Sequence, residues 1–295
     1  DYTLGAAGLD SLNITLFAHD LEVLLKNQGY SELGNDVELK LLQKITISEL
    51  KKTLQDLLIS PARSKFKFKQ GFNKIRQEFI EQETSMMRED ARLLKGIQFP
   101  ATGVNGSKES ILLTGGTGFF GPFLLKSLLE QTDQEIYVLV RAESDDEGRS
   151  RLVKALSTIS ASDGLMNQAS KRVVPVCGDI SKRGLGLTQG KWEQLSREVG
   201  VIYNNGALVN YLFDYDSMRS TNVIGTQEII KMASSGRAKV LNHISTTFIF
   251  GWSTKDVLFE NDGNEEMKLL DFGYSQSKWV SERIVQNAMD GGLKG

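Results

Sequence analysis

Cysteine, histidine and proline are scarce in this chain of 295 residues, and long apolar runs are missing. The one cysteine, Cys177, has no partner for an intramolecular disulfide. With only His19 and His243 beside it, no Cys/His zinc site can be assembled, and no metal is expected. No apolar run approaches the ~18 residues that span a bilayer. The opening DYTLGAAGLDSL has no basic segment ahead of an apolar stretch, so neither a membrane partner nor a signal peptide is expected. An excess of one charge is missing too: 35 basic against 37 acidic residues leave −2, which argues against nucleic acid as a partner. Apolar residues at 40%, charged residues at 24% and only 4 prolines exclude disordered and collagen-like chains. What remains is a globular protein of a reducing compartment, the cytoplasm, long enough for about two domains.

Three zones of composition follow one another. Residues 1–61 hold 9 acidic and 5 basic residues, with apolar positions at helical spacing. Leu12, Leu16, His19 and Val23–Leu24 predict one amphipathic helix; Leu39, Leu41–Leu42 and Ile45 a short second element; Ile47, Leu50, Leu54 and Leu57–Leu58 another helix, capped by Thr46 or Ser48. Residues 62–109 form a linker. Up to Pro100 its balance reverses to 9 basic and 5 acidic residues, which predicts a charged helix packing Phe72 and Phe79, or a docking strip for an acidic neighbour. Pro, Gly, Asn and Ser in Gln98–Ser110 then mark a boundary.

From residue 110 to 295 short β-branched runs alternate with helical segments. Ile111–Thr114, Ile136–Arg141, Val173–Cys177, Val201–Asn204 and Val240–Ser245 are nearly free of polar interruption, as parallel strands covered on both faces require. The fold class expected is α/β, a Rossmann-type doubly wound parallel sheet preceded by a small all-α unit and a helical linker.

The first of these strands runs straight into GGTGFFG and an apolar helix, Phe123–Leu129. In such a turn Gly115 permits the tight bend, Gly118 lets a pyrophosphate approach the backbone, and Gly121 lets the helix lie close on the sheet. The free amides of the helix N-terminus then favour phosphate anions. At the end of the second strand, where an NAD site places an acid for the ribose, stands Arg141, with Arg149 and Arg151 following. A guanidinium pairs with a 2′-phosphate, which favours NADPH, whereas Glu143 nearby argues the other way. Gly178–Ile180 are placed to meet the adenine, and Asn204–Ala207 to floor the nicotinamide side. Cys177 and His243, at strand ends, read as packed residues rather than reactive ones.

Tyr274 and Lys278 lie four apart on a helical segment and so share one face. A phenol of ordinary pKa near 10 exchanges protons poorly at neutral pH, and a nearby ammonium is expected to lower it. A tyrosine so tuned gives a proton to an oxygen as hydride reaches the attached carbon. The fifth strand ends in Ser245–Thr247, and one of these hydroxyls can hold the same oxygen.

With TGGTGFFG, Ser245–Thr246 and Tyr274-x-x-x-Lys278, the chain resembles the extended short-chain dehydrogenase/reductase superfamily. LVR followed by RSRL, GDI, NNGALVN, Asn222–Ile230 and YSQSKW resemble more narrowly the thioester reductase domains of carboxylic acid reductases, aminoadipate-reductase-like and nonribosomal-peptide-synthetase-like enzymes. The resemblance implies NADPH-dependent reduction of a carrier-bound acyl thioester to an aldehyde, or onward to an alcohol. It implies catalytic roles for Thr246, Tyr274 and Lys278. Facing the cofactor it places Gly115, Thr117, Gly118, Phe119, Phe120, Gly121, Arg141, Arg151, Asp179, Ile180, Ala207, Leu208, Val209 and Ser245.

Gly8–Leu12, GLDSL, resembles the attachment motif of phosphopantetheine carrier domains, which makes Ser11 the modified serine of a carrier spanning residues 1–61. Only ten residues precede Ser11, and 17 follow Lys278, so an incomplete carrier and a reductase lacking its C-terminal substrate portion are expected. The implied partners are an acyl thioester on the carrier arm and an adenylation domain of the same larger chain. Two rival readings are a sugar-nucleotide epimerase or dehydratase of the same superfamily, and a non-catalytic fragment that holds the cofactor or docks.

Overall fold

The computed structural model describes residues 2–4, 6–7, 9, 11–27, 42, 45–59, 77–100, 109–159, 162–253, 255–259, 262, 267, 270 and 272–295. The chain divides into two compact units, Asp1–Ser85 and Met86–Gly295.

In the first unit, helices α1 (Ser11–Asn27) and α2 (Ile47–Ile59) enclose a small apolar core. Ile14, Leu21 and Leu25 supply the buried stripe of α1, with Leu42, Ile45 and Leu50 opposite. The helix expected at this point is there, but with another face inward: Leu16, Val23 and Leu24 are exposed. Apolar residues surround α1, and the stripe 14-21-25, joined by Phe17 and Ala18, keeps the three-to-four spacing better than the one chosen from sequence. Of the two candidate caps for α2, Thr46 forms a reciprocal capping box with Glu49: the Glu49 amide donates to Thr46 Oγ1 at 3.3 Å and the Thr46 amide to Glu49 Oε2 at 3.2 Å. Of the short element expected over Leu39, Leu41–Leu42 and Ile45, Leu42 and Ile45 are described and buried, whereas Leu39 and Leu41, like Phe72 of the linker, lie outside the described residues.

The second unit opens with helical residues 86–90, and Met87 and Ala91 are members of its core. The sequence reading ends its linker at residue 109, whereas the compact unit begins at Met86. Five parallel strands follow: β1 (Ser110–Thr114), β2 (Ile136–Val140), β3 (Val173–Cys177), β4 (Val199–Asn204) and β5 (Val240–His243), in spatial order β3-β2-β1-β4-β5. Their helices are α3 (Gly121–Gln131), α4 (Asp145–Ser157), α5 (Asp163–Arg172), α6 (Gln189–Glu198), α7 (Tyr215–Arg219), α8 (Gly225–Ser234) and α9 (Gly273–Asp290). A π-helical turn, Ser220–Ile224, joins α7 to α8.

Two separate apolar layers sandwich the sheet. Ile111, Leu113, Val138 and Val140 pack with α3, α4 and α5 on one face; Leu112, Tyr137, Ile202 and Leu241 pack with α6, α8 and α9 on the other. Burial on both faces explains why these strands read as unbroken apolar runs. The strand order reverses between β1 and β4, which opens a crevice beyond their C-terminal ends. Among the described residues no helix is long and apolar enough to cross a membrane, and no group of His, Cys, Asp and Glu is arranged to hold a metal.

Candidate active site

Register brings the ends of three strands side by side. Thr114 of β1 pairs with Asn204 of β4, which pairs with His243 of β5, so the loops leaving all three strands start from one edge. The β1 loop turns at Gly115, whose φ of 69° lies in the left-handed region. A β-carbon on Gly115 would meet Gly206 Cα at 2.8 Å, so the β1 and β4 loops touch backbone to backbone. Asn205 Nδ2 donates to Gly115 O at 3.1 Å, and the Gly206 amide donates to Thr114 Oγ1 at 2.8 Å.

Gly121 differs from expectation. A side chain there would strike the Gly115 carbonyl and the Gly116 backbone, so the start of α3 presses on the turn rather than on the sheet. The glycine facing the sheet is Gly116, whose β-carbon would meet Val138 Cγ1 at 2.5 Å.

A cleft follows this turn across the strand ends. Of the residues named from sequence it brings together Gly115, Thr117, Gly118, Arg141, Asp179, Ile180, Ala207 and Leu208. It adds Thr114, Ser181 and Thr221, which sequence reasoning did not single out. Phe119, Phe120 and Val209 stand outside it with exposed side chains, and Phe119 leans on Phe123. Arg151 reaches from α4 to donate to the Arg141 carbonyl, so it fastens the backbone of Arg141. Arg141 itself is exposed at the mouth, where Glu143, Glu147 and Lys182 also stand. Burial raises the Asp179 carboxyl, but hydrogen bonds from the Ser181 amide (2.9 Å) and hydroxyl (2.7 Å), then the Arg141 and Lys182 charges, outweigh it and hold the group below its ordinary value.

The second part of the site lies where β5 leads into α9. Thr246 caps the short 3-10 turn Thr247–Phe250 by accepting from the Phe248 amide, and its side chain stands beside the Tyr274 phenol. Tyr274 is packed edge-on against Tyr211, ring centroids 5.9 Å apart, with Phe248 and Phe272 completing an aromatic cluster. Burial raises the phenol pKa above its ordinary value against the opposing effect of the neighbouring Thr246 hydroxyl. The lowering by Lys278 expected from sequence is not seen. The Lys278 ammonium is turned to the Ile244 carbonyl at 2.6 Å and to His243 Nε2 at 3.4 Å, and burial brings its pKa down to about 8. Ser245 donates to Glu282 of α9 and so does not line the cleft. Cys177, at the mouth, donates to Asp145 at 3.5 Å; burial and that carboxylate push its thiol up, away from nucleophilic use.

Asn222, in the π-helical turn, joins the two parts. Its Oδ1 accepts from the Leu208 amide at 2.7 Å, and its Nδ2 donates to Leu208 O at 3.0 Å and Ser277 Oγ at 2.9 Å. The cofactor-side loop is thereby tied to the helix of Tyr274. A π turn places a residue off the regular helical face, so sequence periodicity does not reveal where Asn222 points.

A glycine turn that excludes β-carbons, a helix N-terminus, and a cleft crossing the switch point together fit a dinucleotide. The NAD-binding family described as "Male sterility protein" matches residues 113–295. The chain belongs to this family. It is 36% identical to a component protein of the linear gramicidin synthase of Brevibacillus parabrevis over 268 residues, 89% of this chain and 5% of that protein. It is 32% identical over 248 residues to the L-2-aminoadipate reductase large subunit of Candida glabrata, covering 73% of this chain and 18% of that one. The crystal structure of the terminal R domain from the myxalamid PKS-NRPS biosynthetic pathway superposes with a TM-score of 0.67 at 42% identity, covering 71% of this chain and 54% of that domain. These relatives are of the reductase and synthetase kinds that the motifs resemble. The chain spans a small part of the two long proteins and about half of the solved reductase domain.

Proposed function

We propose that the second unit reduces an acyl thioester to an aldehyde with NADPH, as the reductive-release part of a larger synthetase or carboxylic acid reductase-like chain. One arrangement carries the reading: the Thr246 and Tyr274 hydroxyls meet beyond the end of β5, on the edge of the sheet that also bears the glycine turn. A carbonyl oxygen set between them is held by two hydroxyls while its carbon stays open.

NADPH, when bound, supplies the hydride. Gly115, Thr117 and Gly118 would hold its pyrophosphate, Asp179 and Ile180 its adenosine, and Arg141 with Lys182 its 2′-phosphate. Tyr274 starts protonated at neutral pH, as a raised phenol pKa requires, and gives its proton to the carbonyl oxygen as the carbon gains hydride. The product of that step is a thiohemiacetal. Its C–S bond then breaks, the hydroxyl proton ends on the departing sulfur, and aldehyde and thiol are released. Lys278 keeps a positive charge beside the site. Glu282, one turn further along α9, favours that charge.

The first unit supplies the carrier in this proposal. Ser11 opens α1, and a phosphopantetheine arm attached there would present the acyl group after loading by an adenylation domain of the same larger chain. The relatives, matched over short segments of much longer proteins, support such partners.

Incubation with NADPH and a series of acyl-pantetheine thioesters, with aldehyde trapped and weighed by mass spectrometry, tests the reading. Aldehyde is the expected product. NADPH binding without aldehyde from any thioester would overturn it in favour of a cofactor-holding module, and turnover of a sugar nucleotide instead would favour the epimerase.

A further inference from the structure

The strand ends hold a chain of polar groups leading to Lys278, of which the reaction as written uses only the lysine. Thr114 Oγ1 donates to Asn204 Oδ1 at 2.9 Å; Asn204 Nδ2 lies 3.1 Å from His243 Nδ1; His243 Nε2 lies 3.4 Å from Lys278 Nζ. Thr114, Asn204 and Lys278 are buried, at 1%, 2% and 4% exposure, so these groups must satisfy one another. One end of the chain is the threonine that accepts the Gly206 amide and lines the cofactor cleft. The other is the lysine of the catalytic helix.

The chain has two consistent proton arrangements. With Asn204 Nδ2 donating to His243 Nδ1, a neutral ring carries its proton on Nε2 and points it at Lys278. Two donors then face each other unless the lysine is a neutral amine that accepts. With the Asn204 amide turned over, Oδ1 accepts from Nδ1–H, Nδ2 donates to Thr114 Oγ1, whose own hydrogen turns to the cleft that Thr114 lines, and the Nε2 lone pair accepts from the Lys278 ammonium. The charge on the lysine therefore selects the tautomer of the histidine, the orientation of the asparagine and the direction of the threonine hydroxyl.

We propose that His243 is a positioning residue for Lys278: its imidazole receives the ammonium and, through Asn204 and Thr114, links the lysine's proton to the dinucleotide turn. Its use in catalysis rests on the proposed reductase reading; the relay itself does not. The titratable groups facing Lys278 are His243 from β5, with Glu282 and Tyr274 one turn to either side on its own helix. The Ile244 carbonyl is its remaining close acceptor. Burial and the neighbouring ammonium keep His243 neutral, well below its ordinary pKa, so proton movement within the ring rather than charging of it answers the lysine.

The test uses the unmodified full chain with 15N-labelled histidine, in which His19 and His243 give the only imidazole signals. Between pH 7 and 9.5 the His243 proton is expected to pass from Nδ1 to Nε2 as Lys278 titrates. Ring signals that stay fixed while the 13Cε signal of Lys278 titrates would overturn the relay. As a second arm, His243→Leu should lower the Lys278 midpoint by about one pH unit, the worth of one net hydrogen bond. His243→Gln, which keeps an acceptor, should hold it near wild type, and an unmoved midpoint in His243→Leu would also overturn the proposal. Neither arm needs thioester turnover, so a relay seen without aldehyde formation would sink the reductase reading and leave this one standing.

Discussion

The Arg219 guanidinium grips the Asp90 carboxylate side by side, Nε to Oδ2 and Nη2 to Oδ1 both at 2.6 Å, and the Tyr215 hydroxyl adds a third bond at 2.8 Å. Asp90 lies at the end of helical residues 86–90, while Tyr215 and Arg219 form α7, which follows the β4 loop and packs on α9. A fork-shaped donor and a carboxylate in this arrangement give both strength and direction. The pair therefore fixes α7 and, with it, the approach to the π-helical turn and Asn222.

Asp90→Ala is expected to lower the unfolding free energy by about 2–3 kcal/mol, less than the ~3–5 of a fully buried pair because Arg219 is partly exposed. Urea unfolding measures it. A change under ~0.5 kcal/mol, as for an ordinary surface residue, would contradict the role given to this pair.

Gly121→Ala should act on binding and stability together. The obstacle to its β-carbon is the backbone of Gly115 and Gly116, which cannot turn aside as a side chain can. A loss near the upper end of about 1–3 kcal/mol is expected, along with loss of NADPH affinity. Thermal unfolding and NADPH fluorescence titration on one sample check both. Unchanged affinity would mean that the turn tolerates being opened.

Arg141→Ala should weaken NADPH by about 10–100-fold, the worth of a charge-assisted hydrogen bond, and leave NADH unchanged. Arg151→Ala, which only frees the Arg141 carbonyl, should show a smaller loss in the same direction. Equal losses for both cofactors in Arg141→Ala would remove the residue from the 2′-phosphate.

Lys239 makes stability depend on pH. Its ammonium is buried at 3% exposure among the carbonyls of Ser196, Ser235 and Arg237, and burial brings its pKa down to about 8 from 10.5. Between those values the unfolded chain binds more protons than the folded one, so unfolding free energy rises with pH across the window. The cost of the buried charge is fully present below about pH 8 and relieved above 10.5. Lys278 contributes in the same direction. Subtracting the stability of Lys239→Met from that of wild type should leave a difference that grows from pH 8 to 10; a flat difference would contradict a depressed Lys239.

Much of this was legible in the sequence, for identifiable reasons. Strands buried on both faces announce themselves as apolar runs; the predicted segment for β3 coincides with the strand, and the other four differ from theirs by one or two residues at an end. The glycine turn was legible because its spacing reflects backbone contacts that tolerate no side chain. The inward face of α1 was misread because apolar residues occur all around it, so periodicity alone does not choose between Leu16 and Ile14. Relations between distant segments were not legible. Tyr211 edge-on to Tyr274, Asn222 bound to Leu208 and His243 facing Lys278 all depend on register and a π turn, not on local spacing. Tyr, Phe and Tyr alternate at 211, 213 and 215 beyond β4, yet Tyr211 joins the cluster over Tyr274 while Tyr215 binds Asp90, a division the local sequence does not reveal.

The most direct measurement is single-turnover hydride transfer from NADPH to an acyl-pantetheine thioester in wild type and Tyr274→Phe. The account predicts a rate loss of ~100-fold or more with NADPH affinity unchanged, because only the proton donor is removed. A variant that transfers hydride at the wild-type rate, or loses NADPH binding in the same proportion, would contradict it.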